Sequence, residues 1–288
     1  MELAAYLLIG AIIGILSGFF GVGGGFVLTP VLLLFGFAPV TAIATSLLYT
    51  IGTSVSGVVA HLRLRNIEWK LAFITGLSGL AATRVAHPFV LFLESRGLSE
   101  TVIPGFYLLL LGYFAFSMLH KKKGKPKEPA ENGKHSLPII LFIGFFGGFA
   151  STALGVGGGF IIVPLFISLL ALQPRLAVGT SLVSVFFIVI SGFISYAFTT
   201  PINYVIGIML VIGALIGGQV GAHLTAYFSD PEIKKRLGLL YIVTWLSVLL
   251  KLFGLNMTGL AGLTAFIIYL IYSFSRTMIG SRKEQQNE

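Results

Sequence analysis

The sequence predicts an all-α polytopic membrane protein made of two homologous, inverted repeats, each opening with a glycine-broken helix, followed by one extra C-terminal helix. Three observations carry that expectation. Of the 288 residues, 56% are hydrophobic and 10% charged, with a mean hydropathy of +0.97, whereas soluble domains carry roughly 25% charged residues. Residues 3 to 62 contain no Asp, Glu, Lys or Arg, and between Pro138 and Ser229 only Arg175 is charged; runs of this length cannot face water. Finally, one glycine motif occurs twice in equivalent surroundings.

A bilayer core about 30 Å thick takes about 20 apolar residues per helix, and charges, Pro and Gly punctuate the chain on that ruler. The segments fall at 3–36, 40–61, 67–93, 101–119, 138–172, 176–198, 202–228, 235–252 and 257–274. The start, MELAAYLLIG, lacks the basic region and small-residue cleavage site of a signal peptide, so the first segment is expected to stay in the mature protein. The first and fifth segments are too long for one ordinary span, and both hold a glycine cluster in the middle. Gly21 to Phe26 reads GVGGGF, and so does Gly155 to Phe160 at an offset of 134, with Pro30 and Pro164 four residues beyond. One residue further in register, Ala44-Thr45-Ser46-Leu47 falls on Gly179-Thr180-Ser181-Leu182, Ser56-Gly57 on Ser191-Gly192, and Ile67-Glu68-Trp69 on Ile202-Asn203-Tyr204. Such a register marks internal duplication. The expected organisation is a first transmembrane repeat over 1–120, a hydrophilic Lys-rich linker over 121–137, a second repeat over 138–253, and an extra helix with a cytoplasmic tail over 254–288.

The net charge of +9 does not point to nucleic acid, because six of the 19 basic residues sit in the linker and most others flank apolar runs, with no basic face or aromatic platform. Basic loops mark the cytoplasmic side. The linker, the loop with His61, Arg63, Arg65 and Lys70, the loop with Lys234, Lys235 and Arg236, and the tail with Arg276, Arg282 and Lys283 all belong there. They share one side only if the fifth segment enters and returns as two short half-helices hinged at its glycines. By symmetry each half then makes an odd number of passes, and the halves are inverted.

A helix cannot simply stop in hydrocarbon, since an unpaired N–H or C=O costs several kcal/mol, and glycine runs are poor helix interiors. The two clusters therefore suggest breaks facing a polar cavity. The half-helices that follow, starting near Gly25 and Gly159, would present free N–H groups and a positive dipole end to a small oxyanion. Gly23, Gly24, Gly25, Gly157, Gly158 and Gly159 are the candidate binding residues on this reading; close helix packing is the alternative use of the same glycines. Thr45, Ser46, Thr180 and Ser181 could add hydroxyl donors, or could bond back to their own helices. Arg84, an intramembrane charge, and Gln219, near its counterpart position, complete the candidate set. His87 and His223 align at an offset of 136 and are candidate proton carriers. No catalytic residue, cofactor or metal site is expected: there is no cysteine, His-Glu-x-x-His, Gly-x-Ser-x-Gly or P-loop, and all ten acidic residues lie in tails, loops or segment ends.

The paired GVGGGF breaks, each followed by Pro, the Thr-Ser-Leu after each, and the Ile-Glu-Trp start of the next helix resemble the TauE/SafE sulfite-exporter family of membrane permeases over roughly residues 5–252. The resemblance implies a multi-pass transporter in the plasma or inner membrane that moves small sulfur oxyanions or organosulfonates such as sulfite or sulfoacetate. The expected function is a secondary anion transporter, an exporter, working by alternating access; a passive anion channel and a non-transporting scaffold are the competing classes. The expected partners are a small anion, the lipid bilayer and, through a histidine, protons; nucleic acid is not expected, and a homodimer is left open.

Overall fold

The computed structural model describes residues 2–119 and 136–286, so most of the linker lies outside the described residues. Those residues form eleven α-helices and one 3-10 turn, with no strand among them. In chain order they are α1 (Glu2–Phe20), α2 (Gly25–Leu34), α3 (Pro39–Arg63), α4 (Trp69–Ser95), α5 (Ser99–Leu119), α6 (Leu137–Leu154), α7 (Gly159–Leu169), α8 (Pro174–Ala197), α9 (Tyr204–Leu224), a 3-10 turn (Thr225–Tyr227), α10 (Asp230–Leu252) and α11 (Asn256–Gln286). Eight are long and apolar enough to cross a membrane. Large apolar side chains on the outside, such as Leu109 at 73% and Leu77 at 62% exposure, fit a surface wetted by lipid rather than water. The protein is a multi-pass membrane protein.

Both long segments fold back on themselves. Ile9, Ile12 and Ile13 of α1 share one apolar cavity of about 190 Å³ with Val31 of α2 and Phe35 just beyond it, which a straight continuation would carry far apart at 1.5 Å per residue. Likewise, a Cβ at Gly147 of α6 would meet the Ile162 side chain of α7 at 2.6 Å. The hairpins are unequal: outward arms of 19 and 18 residues return as arms of 10 and 11. The prolines fit this design. Pro164 has no N–H to offer the Phe160 carbonyl one turn earlier, and the Tyr241 hydroxyl donates to that oxygen instead at 2.7 Å.

Glycines set the close packing of the remaining helices. Gly10, Gly14 and Gly18 of α1 lie against Leu210, Ala214 and Gly218 of α9, and Gly144 and Gly148 of α6 against Thr75 and Gly79 of α4; both pairs run parallel. Contacts of Leu48 with Gly207 and Gly52 with Val211 make α3 parallel to α9, and Ser184 with Gly76 and Ile188 with Gly79 make α8 parallel to α4. In the centre α3 and α8 run antiparallel, with Leu182 on Gly57 and Leu47 on Gly192. On the periphery α5 and α10 are antiparallel, Leu119 meeting Gly238 and Trp245 meeting Gly112.

One end of the bundle gathers the basic residues. The Glu68 N–H donates to the Thr180 hydroxyl at 3.0 Å, joining the starts of α4 and α8, while Arg175 and Asp230 join the starts of α8 and α10 at 3.8 Å. Arg63, His223, Tyr227 and Met278 line one cavity there. Arg63, Arg65, Lys70, Arg175, Lys234, Lys235 and Arg236 thus share an end. The last helix runs on to Gln286 rather than stopping near 274, since nothing in 275–286 breaks a helix except the tolerated Gly280.

Candidate substrate site at the paired glycine breaks

The GVGGGF motifs build the breaks directly. Gly21, Gly23 and Gly24 have φ of 67°, 80° and 63°, and Gly155, Gly157 and Gly158 have 70°, 79° and 75°, a left-handed region that side chains disfavour. The two breaks touch. A Cβ on Gly23 would lie 3.5 Å from the Gly157 Cα, one on Gly25 would lie 2.3 Å from the Gly155 oxygen, and one on Gly159 would lie 2.5 Å from the Gly21 oxygen. Phe26 and Phe160, the last residues of the two motifs, stack at 6.5 Å with planes 3° apart. Thr50 and Val185, which contact Gly23, stand at the middle of α3 and α8, so the breaks meet at mid-depth.

The hydrogen-bond balance at this junction is one-sided. Its carbonyl oxygens are largely satisfied by hydroxyls: Gly21 by Ser181 at 2.8 Å, Gly23 by Thr53 at 3.2 Å, Gly155 by Thr29 at 3.1 Å, Leu154 by Tyr107 at 2.8 Å and Thr152 by Tyr196 at 3.0 Å. The amides are not: the N–H groups of Gly23, Gly24 and Phe26, and those of Gly157, Gly158, Gly159 and Phe160, make no hydrogen bond among the described residues. Neither α2 nor α7 has a side-chain cap. Buried hydroxyls without partners stand beside them, Ser17 next to Gly24 and Ser151 next to Gly158, with Ser46 and Thr152 also unpartnered. Most acceptors are occupied and a run of amide donors remains, which suits a negatively charged guest better than a cation.

The remaining candidates are placed as follows. Thr45 and Ser46 are buried on α3. Ser181 gives its proton to Gly21 and Val178, and Thr180 accepts from Glu68. Arg84 is exposed and lines a 240 Å³ cavity with Leu80, Phe187 and Ser191. Gln219 and His223 line the 410 Å³ cavity at the basic end. His87 meets the Thr199 hydroxyl at 3.0 Å. The structure brings together the glycines and Ser181, and holds Arg84, Gln219 and the two aligned histidines away from the breaks.

None of the cavities just described reaches the breaks. The glycine backbones close on one another, and the Thr50 methyl fills the gap, 3.0 Å from a Cβ placed on Gly23 and 2.5 Å from one on Gly157. Thr50, Thr53, Ser17 and Ser151 are the polar residues missed in the sequence. Ser17 and Ser151 repeat at the same offset of 134 as the glycine motifs, a signal that would have found them.

Comparison with known proteins decides the family. The family model described as "Sulfite exporter TauE/SafE" matches residues 6–248. The chain belongs to the TauE/SafE family. This TauE/SafE chain is 27% identical over 258 residues to the "Probable membrane transporter protein YunE" of Bacillus subtilis, covering 81% of this chain and 92% of that one. It is 29% identical over 269 residues to a "Probable membrane transporter protein" of Haemophilus influenzae, covering 85% and 97%. No solved structure matches it.

Proposed function

We propose that this TauE/SafE protein is a secondary transporter, not an enzyme, that exports small sulfur oxyanions such as sulfite or organosulfonates. Two inverted halves would rock about the paired glycine breaks. The observation that carries the reading is the set of unpaired amide donors at two facing helix N-termini, at mid-depth, with the Gly21, Gly23 and Gly155 carbonyls already occupied by hydroxyls. A three-oxygen anion accepts from both N-termini at once. Ser17, Ser46 and Ser151 add neutral donors, so no charge need be buried. The parallel packing of α1 on α9 and of α6 on α4 supports the inverted arrangement, because the first helix of each half runs with the fourth of the other. The basic end is the cytoplasmic one by the distribution of Lys and Arg. Gln219 and His223 stand at that mouth, and Arg84 and His87 toward the opposite one.

In the closed arrangement the breaks seal each other, so anion entry requires that they part. Counterflow in liposomes tests this: purified protein should exchange labelled sulfite and sulfoacetate saturably. Absence of exchange with any anion would refute the transporter reading, and flux that never saturates would favour a channel.

A further inference from the structure

The first glycine break leaves one carbonyl without its helical partner. In an unbroken helix the Val22 amide would reach the Gly18 oxygen, but it makes no such bond. His61, fully buried near the end of α3, places Nε2 3.4 Å from that oxygen instead. A carbonyl only accepts, so Nε2 is the donor. The lone pair of the neutral ring then sits on Nδ1, which is buried and has no partner among the described residues. The second half solves the same problem differently: at the repeat offset His61 corresponds to Tyr196, whose hydroxyl donates to the Thr152 oxygen at 3.0 Å. A phenol satisfies the orphan carbonyl and stays neutral throughout the physiological range. An imidazole satisfies it too, and keeps a spare basic nitrogen.

The surroundings suit proton exchange at the basic end. From α1, residues 14–20 present no titratable side chain. Helix α8 begins with Arg175, engaged by Asp230 and the Phe228 carbonyl, and α4 begins beside Glu68 and Lys70. Helix α9 brings His223, the 3-10 turn Tyr227, and α3 itself Arg63; these three line the 410 Å³ cavity whose wall includes Ala60, the neighbour of His61.

We propose that His61 is the proton-binding site that couples anion movement to a proton gradient, its Nδ1 taking a proton from the cavity when an anion occupies the break and returning it when the anion leaves. The inference rests on the transporter reading above. Arg63 disfavours a second positive charge here until an anion arrives; anion and proton then stabilise each other's binding, by reciprocal linkage. Only a proton moves, from water to nitrogen and back.

Liposomes holding the protein, alkaline inside by one pH unit and clamped in potential with potassium and valinomycin, test the proposal. Labelled sulfoacetate is the probe, because both its acid groups stay ionised near neutral pH. Wild type should accumulate it to about tenfold for one proton per anion. His61→Tyr, which copies the second half, should keep counterflow and lose accumulation. Accumulation that persists in His61→Tyr overturns the assignment. Wild-type counterflow with no response to pH also overturns it, yet leaves the transporter reading standing; absence of counterflow in wild type refutes both. Should His61→Tyr fail to give a monodisperse protein, His61→Gln replaces it and an entrapped pH dye follows wild-type influx, where influx without internal acidification overturns the proposal.

Discussion

Gly159→Ala separates the roles of fit and binding at the junction. Gly159 opens α7 without a positive φ, so a methyl there is barred only by what it touches. It would stand 2.5 Å from the Gly21 oxygen and 2.8 Å from two backbone carbons of Val22. Carbon contacts settle near 3.5 Å, so the breaks must part by about 1 Å. Overpacking of this size costs about 1–3 kcal/mol, and the better helix propensity of Ala offsets about 1 kcal/mol of it. Stability therefore moves little. Binding moves more, because two sets of amides spread by that distance cannot both hold one anion. Losing one hydrogen bond to a charged guest costs about 1.5–3 kcal/mol, or about ten- to a hundredfold in affinity. The assay is sulfite-dependent thermal stabilisation of the detergent-solubilised protein, read as the concentration that gives half the shift. Gly105→Ala, where no atom lies within 4 Å of the added carbon, is the control. Equal sulfite dependence in Gly159→Ala, Gly105→Ala and wild type would refute the placement of the anion between the breaks.

Three further outcomes are expected. Thr50→Ser keeps the hydroxyl that donates to the Ser46 carbonyl but removes the methyl between Gly23 and Gly157; it should cost about 1 kcal/mol of stability and speed sulfite counterflow. Ser151→Ala deletes a buried hydroxyl with no partner, so the melting temperature should hold or rise while sulfite affinity falls about five- to tenfold, as titrated thermal shifts will show. At the start of α10, outside the membrane, the Glu232 carboxyl is held below the usual range by the Ser229 N–H and hydroxyl and by Arg236. That stabilisation is present above the ordinary carboxylate pKa and is lost as pH falls through the depressed one. Glu232→Gln should therefore lower stability at neutral pH and flatten the acid loss below about pH 4, measured by melting across a pH series.

The breaks were legible because the requirement they answer is local. A run of glycines in hydrocarbon has few uses, and its duplication at Gly21 and Gly155 fixed both position and pairing. Hydropathy likewise located the long helices, apart from the start of α10 and the end of α11, since length and charge depend on the chain alone. The hydroxyls were harder to read. A Ser or Thr in a membrane helix bonds by default to its own carbonyls, as Thr50 does with Ser46, and only the packing of other helices decides which ones reach further. Ser181 could be read as a donor, but its acceptor is Gly21, in the first break 160 positions away. His61 looked like one member of a basic loop; the break in α1 gives it a different neighbour.

The exchange of partners between the halves has a cost during synthesis. The glycine face of α1 that seats on α9 is made about 200 residues before its partner. At roughly 5–20 residues per second, that interval lasts about 10–40 seconds. For that time Gly10, Gly14 and Gly18 expose a groove to lipid or to the insertion machinery. The nascent chain therefore completes the packing of α1 only after the ninth helix enters the bilayer, and truncation anywhere before Leu224 should leave a first half that is inserted yet unassembled.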